Sequence, residues 1–116
     1  MSGSPIRVQL SRRKGWRMPF NTVKVDRATG YGNPFVVGEW PGQAFADYMA
    51  GDPTVRDAEH AVALYRKLLI KHAAKSDDTV DALLKLRGKN LACWCRLDQP
   101  CHADVLLELA NREVAA

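Results

Sequence analysis

"LACWCRLDQPCHADVLLELAN", residues 91–111, contains all three cysteines of a 116-residue chain and one of its three histidines. LACWC is short, apolar and preceded by Gly88, so it reads as a buried strand. PCHADVLLELANREV then reads as a helix, with Pro100 at its mouth and Leu106, Leu109 and Val114 on one face. A strand, the five-residue loop RLDQP and a helix form the unit from which parallel α/β sheets are built.

Upstream of this unit, SDDTVDALLKLRGK predicts a helix capped by Ser76, with Asp77 and Asp78 in its first turn and a stop at Gly88. TVRDAEHAVALYRKLLIKHAAK places Ala58, Val62, Tyr65, Leu69 and His72 at spacings of three and four, which predicts a longer amphipathic helix. GQAFADYMAG is a short helix candidate. The first third is strand and loop: PIRVQLS alternates at period two, TVKVD is a second short strand, and a glycine-punctuated loop leads to the apolar segment Phe35–Val37. No repeat or flexible linker interrupts the pattern. The expected fold is α/β: one small domain over residues 1–116, with a short, mainly parallel sheet flanked by helices, as a Rossmann-like three-layer or a two-layer sandwich.

The N-terminus lacks the apolar core and cleavage site of a signal peptide, and no run of about 18 apolar residues occurs. The expected location is therefore cytoplasmic, with no membrane partner. Thiols stay reduced there, so three closely spaced cysteines point to ligands or reactive groups more than to disulfides. The net charge of +4 is unevenly spread. Residues 1–31 carry seven Lys/Arg against the single acid Asp26, and the rest of the chain is slightly acidic. Basic residues interleaved with Trp16, Phe20 and Tyr31 suit phosphate contact and base stacking, although a solvated face with inward-packed aromatics has the same composition.

Two chemical readings and one structural reading fit the cysteine cluster. On a strand, Cys93 and Cys95 share a face with Trp94 on the other, and the loop returns Cys101 and His102 toward the strand's end. Cys93, Cys95, Cys101 and His102 then make a Cys3His set suited to zinc, although C-x-C is a tight pair and adjacent Cys and His side chains diverge. In the rival reading Cys101 is a thiolate favoured by the helix N-terminus, His102 supplies acid/base chemistry, and Asp104 orients His102 or complements the helix dipole. In the structural reading the cysteines are small buried apolar residues and His102 is a cap.

The second constellation is DRATGYGNPF. Gly30 and Gly32 free the backbone, Asn33 before Pro34 is extended, and Arg27 stands just upstream, so this loop is a candidate phosphate cradle or a plain connector. Dinucleotide-binding, P-loop and zinc-deaminase signatures are all missing.

RVQLSRRKGWRMP, GYGNPF and LACWC…PCHADVLLELAN, in that order, resemble the DUF4326 family, small domains of unassigned function from bacteria and their phages. The resemblance implies that Arg12, Lys14, Arg17, Arg27, Gly32, Asn33, Pro34, Cys93, Cys95, Cys101, His102 and Asp104 occupy family motif positions. The tail motif also resembles a C-x-E…C-H-R element of the α/β family DUF488, where a glutamate stands in the place of Cys95.

The leading expectation is a domain that binds a nucleotide or nucleic-acid phosphate where GNPF meets the Cys/His cluster. Arg12, Lys14, Arg17, Arg27, Gly32 and Asn33 would be its ligand-binding residues and Cys101, His102 and Asp104 its catalytic ones, in a transferase or hydrolase acting on a nucleotide or nucleoside. The alternatives are a zinc-stabilised, non-enzymatic nucleic-acid-binding module and a phage protein that binds a host protein through Trp16 or Trp40. Sequence leaves the substrate and the oligomeric state open.

Overall fold

The computed structural model describes residues 4–112. Three short strands, β1 (Arg7–Gln9), β2 (Thr22–Lys24) and β3 (Asn90–Cys93), form one sheet in the order β1-β3-β2. Both pairings are parallel: Val8 lies opposite Ala92 on one side and Val23 opposite Leu91 on the other. As the middle strand of a parallel sheet, β3 is enclosed on both faces, which is why Leu91, Ala92 and Cys93 are an unbroken apolar run, each at most 1% exposed. The ladder continues past the strand ends, where Leu10 N–H donates to Cys93 O at 2.7 Å and Val25 N–H donates to Ala92 O at 2.8 Å.

Four α-helices follow the second strand: α1 (Ala46–Met49), entered through a 3-10 turn at Gln43–Phe45, then α2 (Ala58–Ala73), α3 (Asp77–Leu84) and α4 (His102–Asn111). Helix α4 packs on β1 and β3, and α2 and α3 pack on α4. The predicted small α/β domain is thus the observed one. No helix among the described residues is long and apolar enough to cross a membrane.

Several local expectations shift. Asp57 caps α2 by accepting from His60 N–H at 2.7 Å. The buried stripe of α2 is Ala61, Leu64, Tyr65 and Leu68, so of the predicted face only Tyr65 is in the core. Ser76 occupies the N-cap of α3 without a capping side-chain bond. Gly88 ends this region in the left-handed conformation, φ 77°, as a C-terminal stop requires. Phe35 is buried against Phe45 and Tyr48, whereas Val37 joins only an isolated bridge to Val55. In α4, Leu106 is buried and Leu109 half-buried, while Val114 lies outside the described residues.

Because β1 and β2 are parallel with β3 between them, the chain must return across the sheet's edge after β1. Residues 11–21 make that crossing without a helix, and they carry Arg12, Arg13, Lys14 and Arg17, all exposed. The basic segment is therefore a crossover loop, and it starts at the carboxyl ends of the strands.

Candidate functional site

All three strands end at one edge of the sheet, where ligand sites of open parallel α/β sheets form. From that edge β2 runs into Asp26 and Arg27, and β3 into Trp94 and Cys95, with α4 entering through Cys101 and His102. The Sγ atoms of Cys93, Cys95 and Cys101 lie within 4.8 Å of one another. Cys93 is the last strand residue, Cys95 sits two positions on, and Cys101 is the extended N-cap residue of α4 (φ −147°, ψ 146°). Cys93 and Cys95, two positions apart at the end of β3, come together there, and Trp94 between them is exposed.

Cys93 and Cys101 are each 1% exposed, with their sulfurs 2.9 Å apart. Cys95 is less buried. Hydrogen bonds from Cys101, then Cys93, then His102 drive the Cys95 thiol far below its ordinary value. The same contacts have the opposite effect on the other two thiols. Cys101 is pushed far up by its bonds to Cys93 and Cys95 and by burial. For Cys93 the bond to Cys101 lowers the thiol, but the bond to Cys95 and burial outweigh it, and the net direction is up. Cys101 itself is buried, at the N-cap of α4 with its sulfur against that of Cys93.

His102 is buried, and its Nε2–H donates to Val25 O at 2.5 Å, which turns Nδ1 toward Cys101 Sγ at 3.7 Å. Its ring packs edge-on against Tyr65 at 5.5 Å. The mutually close ligand set is the three thiols without His102. Asp104 does not serve as its orienter, since its carboxylate accepts from Arg7 Nη1 at 2.9 Å. Arg7, whose side chain is 8% exposed, also donates to Arg96 O at 3.0 Å and Leu97 O at 2.8 Å, so it ties the loop between the cysteines to β1 and α4.

The GYGNPF loop is placed differently from the phosphate cradle that its composition suggests. Arg27 donates to Asn33 O and, at 3.1 Å, to Phe35 O. Asn33 is buried, donating to Ala61 O at 3.1 Å and accepting from Phe35 N–H at 2.9 Å. Gly32 packs so closely on Arg27 that a Cβ there would stand 2.6 Å from the Arg27 Cα. The loop is a self-satisfied clasp onto α2, and its polar groups are committed to protein partners.

A cavity of about 180 Å3 opens beside the thiols, lined by Asp26, Arg27, Ala28, Cys93, Trp94, Cys95 and His102. Asp26 is the residue that sequence reasoning passed over, although its signal was there as the one acid of the basic segment. It is 5% exposed; its Oδ2 accepts from Trp94 Nε1 at 2.8 Å and lies 3.5 Å from Lys24 Nζ, while Oδ1 has no partner. Over the outer face of Trp94 stands the guanidinium of Arg12, 4.5 Å from the ring centroid. Lys14 and Arg17 continue the cationic surface along the crossover loop. Trp40 is exposed and Trp16 half-buried. A larger cavity, about 580 Å3, lies between the GYGNP loop, α2 and α3. Its wall is mainly apolar and its two tyrosine hydroxyls are engaged, Tyr31 with Ala82 O and Tyr65 with Tyr31 O.

The profile of the family described as "Domain of unknown function (DUF4326)" matches residues 8–112, which takes in both the basic crossover and the cysteine cluster. An uncharacterized 12.4 kDa protein from the nrdA-td intergenic region of Enterobacteria phage T4 is 32% identical over 82 residues, covering 71% of this chain and 73% of that protein. No solved structure matches.

Proposed function

The chain belongs to the DUF4326 family of domains of unknown function, and from that premise we propose that it is a metal-centred domain that binds the phosphate of a nucleotide or nucleic acid. Cys93, Cys95 and Cys101 hold a zinc-class ion, and Arg12, Lys14, Arg17 and Lys24 supply the cationic surface beside it. The observation that carries the metal half is the convergence of three thiols within 4.8 Å, two of them buried. Three thiolates around one tetrahedral ion with Zn–S of about 2.3 Å stand about 3.8 Å apart. The Cys93–Cys101 pair at 2.9 Å therefore opens by about 1 Å on binding. Three protein ligands leave a fourth position, which fits a site with a cavity at its side.

A second reading is favoured by the depressed thiol of Cys95. Without metal, Cys95 in the cavity wall beside His102 is the nucleophile of a transferase or hydrolase acting on a nucleotide. Elemental analysis of tag-free protein purified without chelator separates the two, with Cys95→Ser as the paired variant. The metal reading expects about one zinc per chain, lost in the variant. Metal-free wild-type protein, with Cys95 rapidly alkylated at neutral pH, overturns it in favour of the thiolate.

A further inference from the structure

We propose that the 180 Å3 cavity at the strand ends receives the base of a nucleotide, held by an exocyclic amine that donates to Oδ1 of Asp26. The inference rests on the nucleotide half of the reading above, and its cavity shares Cys93 and Cys95 with the metal half.

Among the described residues, Asp26 Oδ1 is the buried side-chain polar atom that lacks a hydrogen-bond partner. An unpaired buried acceptor costs about 1–3 kcal/mol, more when charged, so native structures keep such groups where something else satisfies them. Asp26 Oδ2 is already engaged by Trp94 and Lys24, which fixes the carboxylate plane and leaves Oδ1 for a ligand. The complementary group is an N–H donor.

Size and shape narrow the class. At roughly 30 Å3 per water the cavity has room for about six waters, below the roughly 300 Å3 at which pockets for drug-sized ligands begin. A single flat heterocycle is of that order. Trp94 supplies an aromatic wall, and Arg12 stacked on its ring braces that wall and carries positive charge. Lys24, whose side chain is 47% exposed, is the second cation next to Asp26. A ligand with a donor edge inside and a phosphate outside matches this polarity. Bases with an amino group satisfy Oδ1 directly. Uracil presents its N3–H between two carbonyl oxygens, and both would face the carboxylate.

The base can come from a free nucleotide or from an unpaired residue of a strand, and the test has an arm for each. Binding of CMP, AMP, GMP and UMP, and of single-stranded C and U pentanucleotides, is measured by calorimetry on the full chain and on Asp26→Asn. Zinc content is determined on the same samples. The amino-bearing nucleotides are expected to bind at least about tenfold more tightly than UMP, the scale of one charge-assisted hydrogen bond. In Asp26→Asn, whose amide can turn its NH2 inward, that preference collapses or reverses toward UMP. A C pentanucleotide that binds better than CMP assigns the base to a strand, and equal binding assigns it to a free nucleotide. Equal affinity of wild-type protein for CMP and UMP, or no binding by folded protein, overturns the inference whether or not Asp26→Asn folds. A zinc-replete protein with no base preference overturns the base pocket alone, and a zinc-free protein that keeps the preference overturns the metal centre alone.

Discussion

Replacing Gly32 by alanine tests whether the GYGNPF loop is a clasp or a ligand cradle. An alanine Cβ would stand 2.6 Å from the Arg27 Cα, 3.0 Å from its carbonyl oxygen and 3.1 Å from its carbonyl carbon. All three are backbone atoms, so no side chain can swing away. Arg27 itself is tethered through its guanidinium to Asn33 O and Phe35 O, and Val25, two residues before it, is in the sheet ladder. Relief has to come from moving the loop, which strains the Asn33 contact to α2. Overpacking of this kind costs about 1–3 kcal/mol. For a chain of this size each kcal/mol lowers Tm by roughly 4 °C, so Gly32→Ala is expected to fall about 4–12 °C below wild type in thermal unfolding followed by circular dichroism. Gly30→Ala is the control: nothing lies within 4 Å of a Cβ there, and its effect is expected to stay within about 0.5 kcal/mol. Gly32→Ala melting with the wild type, accompanied by loss of phosphate binding, would refute the clasp and restore the cradle.

Asn33→Ala removes the partners of Ala61 O and Phe35 N–H in a buried setting, and a loss of about 2–4 kcal/mol is expected in urea unfolding. Arg7→Lys keeps the charge but cannot serve Asp104, Arg96 O and Leu97 O at once; the loop around Arg96 and Leu97 is expected to become protease-sensitive, read by limited digestion and mass spectrometry. The Tyr65 hydroxyl is raised well above its ordinary 10.0, by burial first and then by Tyr31 and Cys101. The unfolded chain therefore releases this proton near pH 10 while the folded chain retains it, so this contribution is full below pH 10 and is lost as pH rises beyond it. Tyr65→Phe is expected to flatten that alkaline limb, at a cost near neutrality of about 1 kcal/mol for the bond to Tyr31 O, checked by urea midpoints between pH 7 and about 11.

The strand–loop–helix unit at residues 90–111 was legible because period two, a proline and a helical apolar face agree over a short span. The same period placed Cys93 beside Cys95. The face of α2 was misread because its alanines and leucines satisfy more than one stripe at spacings of three and four; contact with both α3 and α4 selects Leu64 and Leu68 over Val62 and Leu69. Arg27, Gly32 and Asn33 meet in one loop, where the Arg27 guanidinium donates to the loop's own carbonyls. An arginine beside a glycine-rich loop has the same composition whether its donors meet phosphate oxygens or the loop's own carbonyls, and only the folded path distinguishes them. Asp26 was passed over as a site residue for a related reason. A single acid among seven cations reads as local charge balance, and its meaning comes from β3 running between β1 and β2, which carries Trp94 to it from 68 positions away.

That topology also explains why the thiols converge. The loop from Trp94 to Pro100 is anchored at one end by the central strand and at the other by α4. Its middle is held by Arg7, a residue of the neighbouring strand that reaches Arg96 O, Leu97 O and Asp104 together. His102 adds a fourth anchor by donating to Val25 O at the end of β2. Each strand therefore contributes one constraint on where Cys95 and Cys101 stand, and the entropy of ordering the loop is spent in folding rather than in binding. An ion or substrate that enters meets sulfurs already within 4.8 Å of each other and needs only the small opening of the Cys93–Cys101 pair. Loosening Arg7 should accordingly weaken the site more than removing any single surface cation of the crossover loop, because it releases the geometry of the cluster and not merely a charge beside it.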